Sequence, residues 1–181
     1  MSLIILALMS GASISLGTFN YVDFFPSLGR LTLRAESLTS ELSQTGIEYH
    51  IAFVLENPSR YQGLGVKGFG SDLEIRSKDG ASVIPYGSIE IDASGSLPPY
   101  SDMRIQGRFA IIGRSADLLR SLQETQGANF HLESTVELHT FLEPSFGLAI
   151  SFRCVTDGEP TICETVSTDI TAYGSGPVVG T

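Results

Sequence analysis

The stretch from Gly46 to Asn57 carries a large apolar side chain at every second position. Ile47, Tyr49, Ile51, Phe53 and Leu55 interleave with Glu48, His50, Ala52, Val54 and Glu56. A period of two places one apolar row on the core face of a strand. Asn57-Pro58-Ser59 ends it, because proline has no N–H for a ladder and Asn and Ser favour turns. The same period predicts strands through Leu31, Leu33 and Ala35, and through Leu73 and Ile75, the latter closed by a turn at Lys78-Asp79-Gly80. Val83-Ile84-Pro85 followed by Ser88–Asp92 reads as a proline-interrupted strand, hence an edge or a bulge. After a loop at Leu97-Pro98-Pro99-Tyr100, a strand runs through Met103, Ile105, Phe109 and Ile111 with Gly107 as a kink. Three more are expected over Phe130–Thr140, Gly147–Thr156 and Ile162 to about Tyr173.

One segment breaks the alternation. Over Ser115–Gln126, Ser115 serves as N-cap, Asp117 suits the positive first turn, and Leu118, Leu119 and Leu122 form an apolar stripe. Gly127 supplies the C-terminal stop. About seven or eight strands spaced by turn signals, with one helix, predict a mainly β chain folded as an antiparallel β-sandwich over residues 31–173. Residues 26–30 read as a linker and residues 174–181 as a flexible tail.

The chain opens differently. Leu3–Phe19 carries no charge and would span ~25 Å as a helix, or ~34 Å if continued to Phe25, about one hydrocarbon core. Residues 1–25 are therefore expected to form a transmembrane helix, with Tyr21, Phe24 and Phe25 as an aromatic belt at one interface. A cleaved signal peptide is the rival reading, but only Met1 and Ser2 precede the apolar run and no Ala-x-Ala-like site is evident. Gly11 with Ser15, and Ser13 with Gly17, are spaced four apart, the small-residue pattern that lets a second helix approach closely.

Composition narrows the function. A net charge of −9 excludes the clustered Lys and Arg that phosphate binding needs, so no nucleic-acid partner is expected. Cys154 and Cys163 flank the turn Asp157-Gly158-Glu159-Pro160, and a symmetric hairpin would set them opposite each other as a disulfide. Their face assignments conflict, however. Cys154 falls with Leu148, Ile150 and Phe152, whereas Cys163 falls with Thr161, Thr165 and Ser167, so a one-residue shift would hide Ile162 instead. Both registers stay open at this point. A bonded pair would place the domain in an oxidising compartment.

The remaining motifs carry little chemistry. Gly63-Leu-Gly-Val-Lys-Gly68 fits G-x-G-x-x-G, but Ser71–Ser77 after it alternates like a strand, whereas a pyrophosphate site needs a helix N-terminus there. The glycines instead suit bulges or close strand approach. His131, Glu133, Thr135, Glu137 and His139 share one strand face, yet the two histidines would stand ~26 Å apart, too far for one ion. A solvated face accounts for them, and no metal or cofactor is expected. Gly113-Arg-Ser-Ala-Asp117 is not a nucleophile elbow, and no catalytic residues are assigned. Asn57-Pro58-Ser59 is not a glycosylation acceptor, because proline occupies its centre.

The strand ending Leu55-Glu56-Asn57-Pro58-Ser59, the next strand up to Gly80, Ile89-Glu90-Ile91, the helix at Ser115–Gln126 and the late strands near Phe152-Arg153-Cys154 together resemble the late-embryogenesis-abundant type 2 (water-stress and hypersensitive-response) domain family. The resemblance covers roughly Leu31 to Thr171, and Ser59 stands where that family usually has a second Asn. It implies a fibronectin-III- or immunoglobulin-like sandwich with one helix, often placed directly after a membrane helix, that binds or scaffolds and does not catalyse. The resulting expectation is a non-enzymatic, single-pass accessory subunit with its domain on the periplasmic, lumenal or extracellular side. Its partners would be membrane lipid and an integral membrane protein complex. The alternative is a membrane-tethered module that binds lipid or another apolar ligand.

Overall fold

The computed structural model of the chain describes residues 22–42, 46–80, 83–91, 93–125, 127–140, 146–157 and 159–172. Residues 1–21 of the expected membrane helix, including Gly11, Ser13, Ser15, Gly17 and Tyr21, lie outside them, as does the expected tail, residues 174–181. Among the described residues no helix is long and apolar enough to cross a membrane.

The protein is mainly β, and every strand pairing is antiparallel. Strand β1 (Thr32–Leu42), β2 (Gly46–Asn57), β6 (Ser101–Ile112) and β9 (Thr161–Ile162) form one sheet, in the order β6-β2-β1-β9. The other sheet runs β10-β8-β7-β3-β4, from β10 (Glu164–Ala172), β8 (Phe146–Thr156), β7 (Ala128–His139), β3 (Gly65–Ser77) and β4 (Val83–Ile91). The short β5 (Gly95–Ser96) also pairs with β3. Inward side chains of both sheets share one apolar core, as in a β-sandwich.

The alternation in β2 is realised as expected, with Ile47, Tyr49, Ile51, Phe53 and Leu55 all buried. Ala52 and Val54 on its other face are buried too. β2 is a central strand, and Arg34 and Arg104 flank Val54 in register. These arginines pair with Glu56 (3.6 Å) and Glu36 (2.9 Å), so long ion-paired side chains cover that part of the outer surface. At one margin of the sandwich β4 packs against β6, where Gly107 accepts the Ile91 side chain; a Cβ there would overlap it. The sequence kink at Gly107 is thus a close approach between sheets. The proline-bearing strand β4 ends its sheet, with a register shift between Leu73 and Glu74 opposite it.

The opposite margin is closed by a strand that changes sheets. After β8 the chain turns, pairs with β1 as β9, donates the Cys163 N–H to Leu33 O (2.8 Å), then returns to β8 as β10. Cys154 and Cys163 are bonded, with Cα atoms 4.4 Å apart. The symmetric register holds, and Ile162 is 72 % exposed, so the shifted alternative is excluded. The face conflict disappears because Cys163 sits at the crossing between two strands, and a bulge between Thr165 and Ser167 follows it.

The long helix (Gly113–Thr125) begins two residues earlier than its sequence cap, with Gly113 at φ +59°. Ser115 is therefore inside the helix and Asp117 lies past the first turn, its carboxylate 3.4 Å from Arg120. Ala116, Leu119 and Leu122 face the core, whereas Leu118, expected in the stripe, is 53 % exposed. The shifted phase brings in Ala116 at i−3 from Leu119 in place of Leu118. Gly127, at φ +76°, ends the helix and donates to Leu122 O (3.0 Å). Gln123 Nε2 donates to Tyr49 Oη (3.2 Å), and burial raises the Tyr49 hydroxyl pKa.

Two consequences can be measured. The Cys154→Ala/Cys163→Ala double variant should lose about 2–3 kcal/mol of unfolding free energy for a loop of this length; an unchanged denaturant midpoint would remove the disulfide from this account. Gly107→Ala should cost about 1–3 kcal/mol through overpacking against Ile91, read from the same unfolding curve.

Candidate functional site

The Asn-Pro-Ser step that stops β2 is buried. Asn57 is fully inaccessible, and its side chain makes four hydrogen bonds. Its Nδ2 donates to Leu97 O (3.3 Å) and Pro98 O (3.0 Å), while Oδ1 accepts from Ser59 N (3.1 Å) and Ser59 Oγ (2.6 Å). Ser59 Oγ in turn accepts from Tyr61 N (3.2 Å), and Ser59 O accepts from Tyr100 N (3.1 Å). Both donors and both acceptor positions of the amide are used, which offsets its desolvation. The serine hydroxyl, where the resembled family usually carries an amide, closes the turn.

This knot joins three segments that are distant in sequence. Residues 22–28 are helical and dock on the 57–61 loop. Phe24 is 0 % exposed and its ring centroid lies 5.3 Å from that of Tyr61. Phe24 was expected in a lipid-facing belt; it belongs to the protein core, because Tyr61, Leu28 and Leu31 bury it. Residues 26–30 are likewise not a free linker, since Ser27 and Leu28 are buried. Phe25, by contrast, is 49 % exposed. Asp23 accepts two hydrogen bonds from Arg60, at 2.7 and 3.1 Å, and this contact is the main reason its carboxyl pKa falls below the ordinary value.

On the other flank of the knot stands Tyr100. It is the one non-glycine residue with positive φ (53°) among the described residues, and it is 73 % exposed. Such a conformation costs on the order of 1 kcal/mol or more for a bulky residue and persists only where its surroundings impose it. Here the Pro98 carbonyl held by Asn57 and Ser101, and the Tyr100 N–H held by Ser59, impose it. Sequence reading assigned Leu97–Tyr100 only as a loop; nothing in its composition reveals that a buried amide forty residues away fixes it.

The outer face of the larger sheet holds the histidine-bearing row. His131, Glu133, Thr135, Glu137 and His139 do share one face of β7, with Leu132, Ser134, Val136 and Leu138 buried behind. A cleft there is lined by Asp72, Glu74, Arg76, His131, Glu133 and Arg153. Most of its charge is paired: Arg76 lies 2.6 Å from Glu74 and Arg153 lies 3.2 Å from Glu133, while Asp72 accepts a hydrogen bond from Ser88 Oγ. Partial burial, and then the Arg76 charge, lower the His131 pKa and favour its neutral form. Among the described residues no three His, Cys, Asp or Glu side chains converge as metal ligands. The G-x-G-x-x-G run enters β3 directly, with a bulge at Lys67, between Val66 and Gly68, and Gly65 close to the Gly95 carbonyl. Its glycines serve the sheet.

β10 is the remaining distinctive surface. It ends its sheet, its described pairing partner is β8, and its residues 164–171 are exposed or half-exposed on both faces. Val166 (52 %) and Ile170 (47 %) are its apolar members. No protein-family model matches the chain, and no curated protein matches it in sequence.

Asn57→Ala should destabilise the fold by about 3 kcal/mol, because it strands the Leu97 carbonyl and the Ser59 N–H and O–H in the interior; chemical unfolding measures this, and a loss below about 1 kcal/mol would contradict the knot. The Asp23–Arg60 contact sets a pH response. A depressed folded-state pKa lends stability that is complete above the ordinary Asp value of 3.8 and drains as pH falls through the lowered one. The protection factors of residues 24–28, exchange rates taken relative to the unfolded-peptide rate at each pH, should fall as pH drops through that range; in Asp23→Asn they should not show this fall.

Proposed function

We propose that this chain is a non-enzymatic, membrane-anchored accessory subunit whose β-sandwich stands on the extracytoplasmic side and contacts an integral membrane protein complex. The observation that carries the reading is the exposed β10 edge. A nine-residue edge strand with apolar side chains on view is a template for strand addition, a liability that proteins usually blunt when no partner covers it. The Cys154–Cys163 bond supports an oxidising compartment. The uncharged run before residue 22 supports a membrane anchor.

The neighbour order β6-β2-β1 facing β8-β7-β3-β4 is the arrangement a fibronectin-III-like sandwich requires, with β9 and β10 added at its end. Together with the Asn57-Pro58-Ser59 knot it supports kinship with the late-embryogenesis-abundant type 2 domain. The apolar-ligand reading has less behind it. The described clefts lie over strand faces and around residues 56–58 and 100–102, and each carries charged side chains, Asp72 and Arg76, Lys67 and Glu137, or Glu56 and Asp102, that an acyl chain would have to desolvate.

The test is affinity purification of the full chain from native membranes in mild detergent. A stoichiometric set of integral membrane proteins should accompany it and be lost with Val166→Arg/Ile170→Arg. Recovery of the chain alone would sink the accessory-subunit reading, and bound lipid in that sample would favour the ligand-binding one. Deletion of residues 1–21, which spares Phe24, should release a folded domain from membranes; deletion to residue 25 should not fold as stably.

A further inference from the structure

The end of the sandwich built around Asn57 presents a small apolar surface. Val22 is 62 % exposed, Phe25 49 % and Tyr100 73 %. Val22 and Phe25 come from the helical residues 22–28, and Tyr100 from the loop before β6. They are brought to one end by contacts already described: Arg60 grips Asp23, which lies between Val22 and Phe25 in the helical turn. Ser59, next in sequence to Arg60, holds the Tyr100 N–H.

This end is also where the uncharged run of residues 3–19 joins the domain. Resting on the anchor reading above, we infer that this end of the domain lies in the membrane interface itself. Tyr100, Phe25 and Val22 would enter the headgroup–acyl boundary, where a phenol ring keeps its hydroxyl wet and its body in apolar surroundings. The geometry replaces the belt expected from sequence. Phe24 leaves it for the core, and Tyr100, far away in the chain, takes its place. The strained backbone of Tyr100 follows: the knot fixes the main chain that carries this exposed ring, so that less ordering entropy is lost on contact with lipid. No more than three residues separate residue 19 from Val22, so the tether is too short for the domain to sit far from the bilayer.

The chain has no tryptophan, which makes a direct test available. The full chain carrying Tyr100→Trp is reconstituted in phosphatidylcholine vesicles, with and without lipids brominated near the top of the acyl chain. Ile112→Trp is the control. Ile112 is 63 % exposed at the other end of β6, roughly 40 Å away along the strand. Both chains should float with the vesicles. Trp at 100 should be quenched by brominated lipid and be about threefold less accessible to aqueous iodide than Trp at 112, in keeping with burial of ~5–10 Å. Phe25→Trp should behave like Tyr100→Trp. Flotation with equal iodide access at 100 and 112 would overturn the inference and leave the anchor intact. Shielding from iodide without lipid quenching would also overturn it, in favour of a protein contact. Failure to float would overturn the anchor reading, and this inference with it.

Discussion

The structure turns on the buried amide of Asn57. A side chain with two donors and a two-fold acceptor, withdrawn fully from water, must find all its partners inside the protein. It finds them in the two carbonyls of the 97–98 loop and in Ser59, which ties the end of β2 to the entry of β6 and orients the 59–61 turn. Tyr61 then packs against Phe24, so the helical residues 22–28 dock on the same turn. One hydrogen-bonded side chain thereby decides where the chain enters the sandwich and which aromatic it shows at that end.

The two margins of the sandwich are closed by different means. On one, Ile91 of β4 fills the space left by Gly107 of β6, a purely steric fit. On the other, the chain crosses between sheets at Cys163 and is held by a backbone hydrogen bond to Leu33 and by the bond to Cys154. Beyond that crossing β10 has a neighbour on one side only among the described strands. The staple and the exposed edge belong together, because a strand without a partner sheet over it has little apolar burial of its own to hold it in place.

Electrostatics on the strand faces is local. Arg76 with Glu74, Arg153 with Glu133, Arg34 with Glu56 and Lys78 with Asp157 pair within the surface. Such exposed pairs contribute little to stability. Their effect is to neutralise most of the charge along these strand faces, so the surplus of acid shows as a diffuse field suited to solubility.

Much of this fold was legible from residue order. Period-two rows such as Ile47–Leu55 and Leu132–Leu138 specify strands and their buried face, because side chains on a pleated strand can only alternate. Pro85 announced an edge, Gly127 a helix end, and the spacing of Cys154 and Cys163 a possible pair. What order alone left undecided depended on phase and on distant partners. Ser115 and Leu118 were assigned to a helix starting two residues late, an error that rotates a stripe. The cysteine register needed the crossing at Cys163, and Phe24 needed Tyr61. Asn57 and Tyr100 read as a turn and a loop until the tertiary fold brought a buried amide to two remote carbonyls. Local pattern determines which face of an element is apolar; only three-dimensional packing decides which polar groups are enclosed, and an enclosed polar group dictates the conformation of whatever must satisfy it.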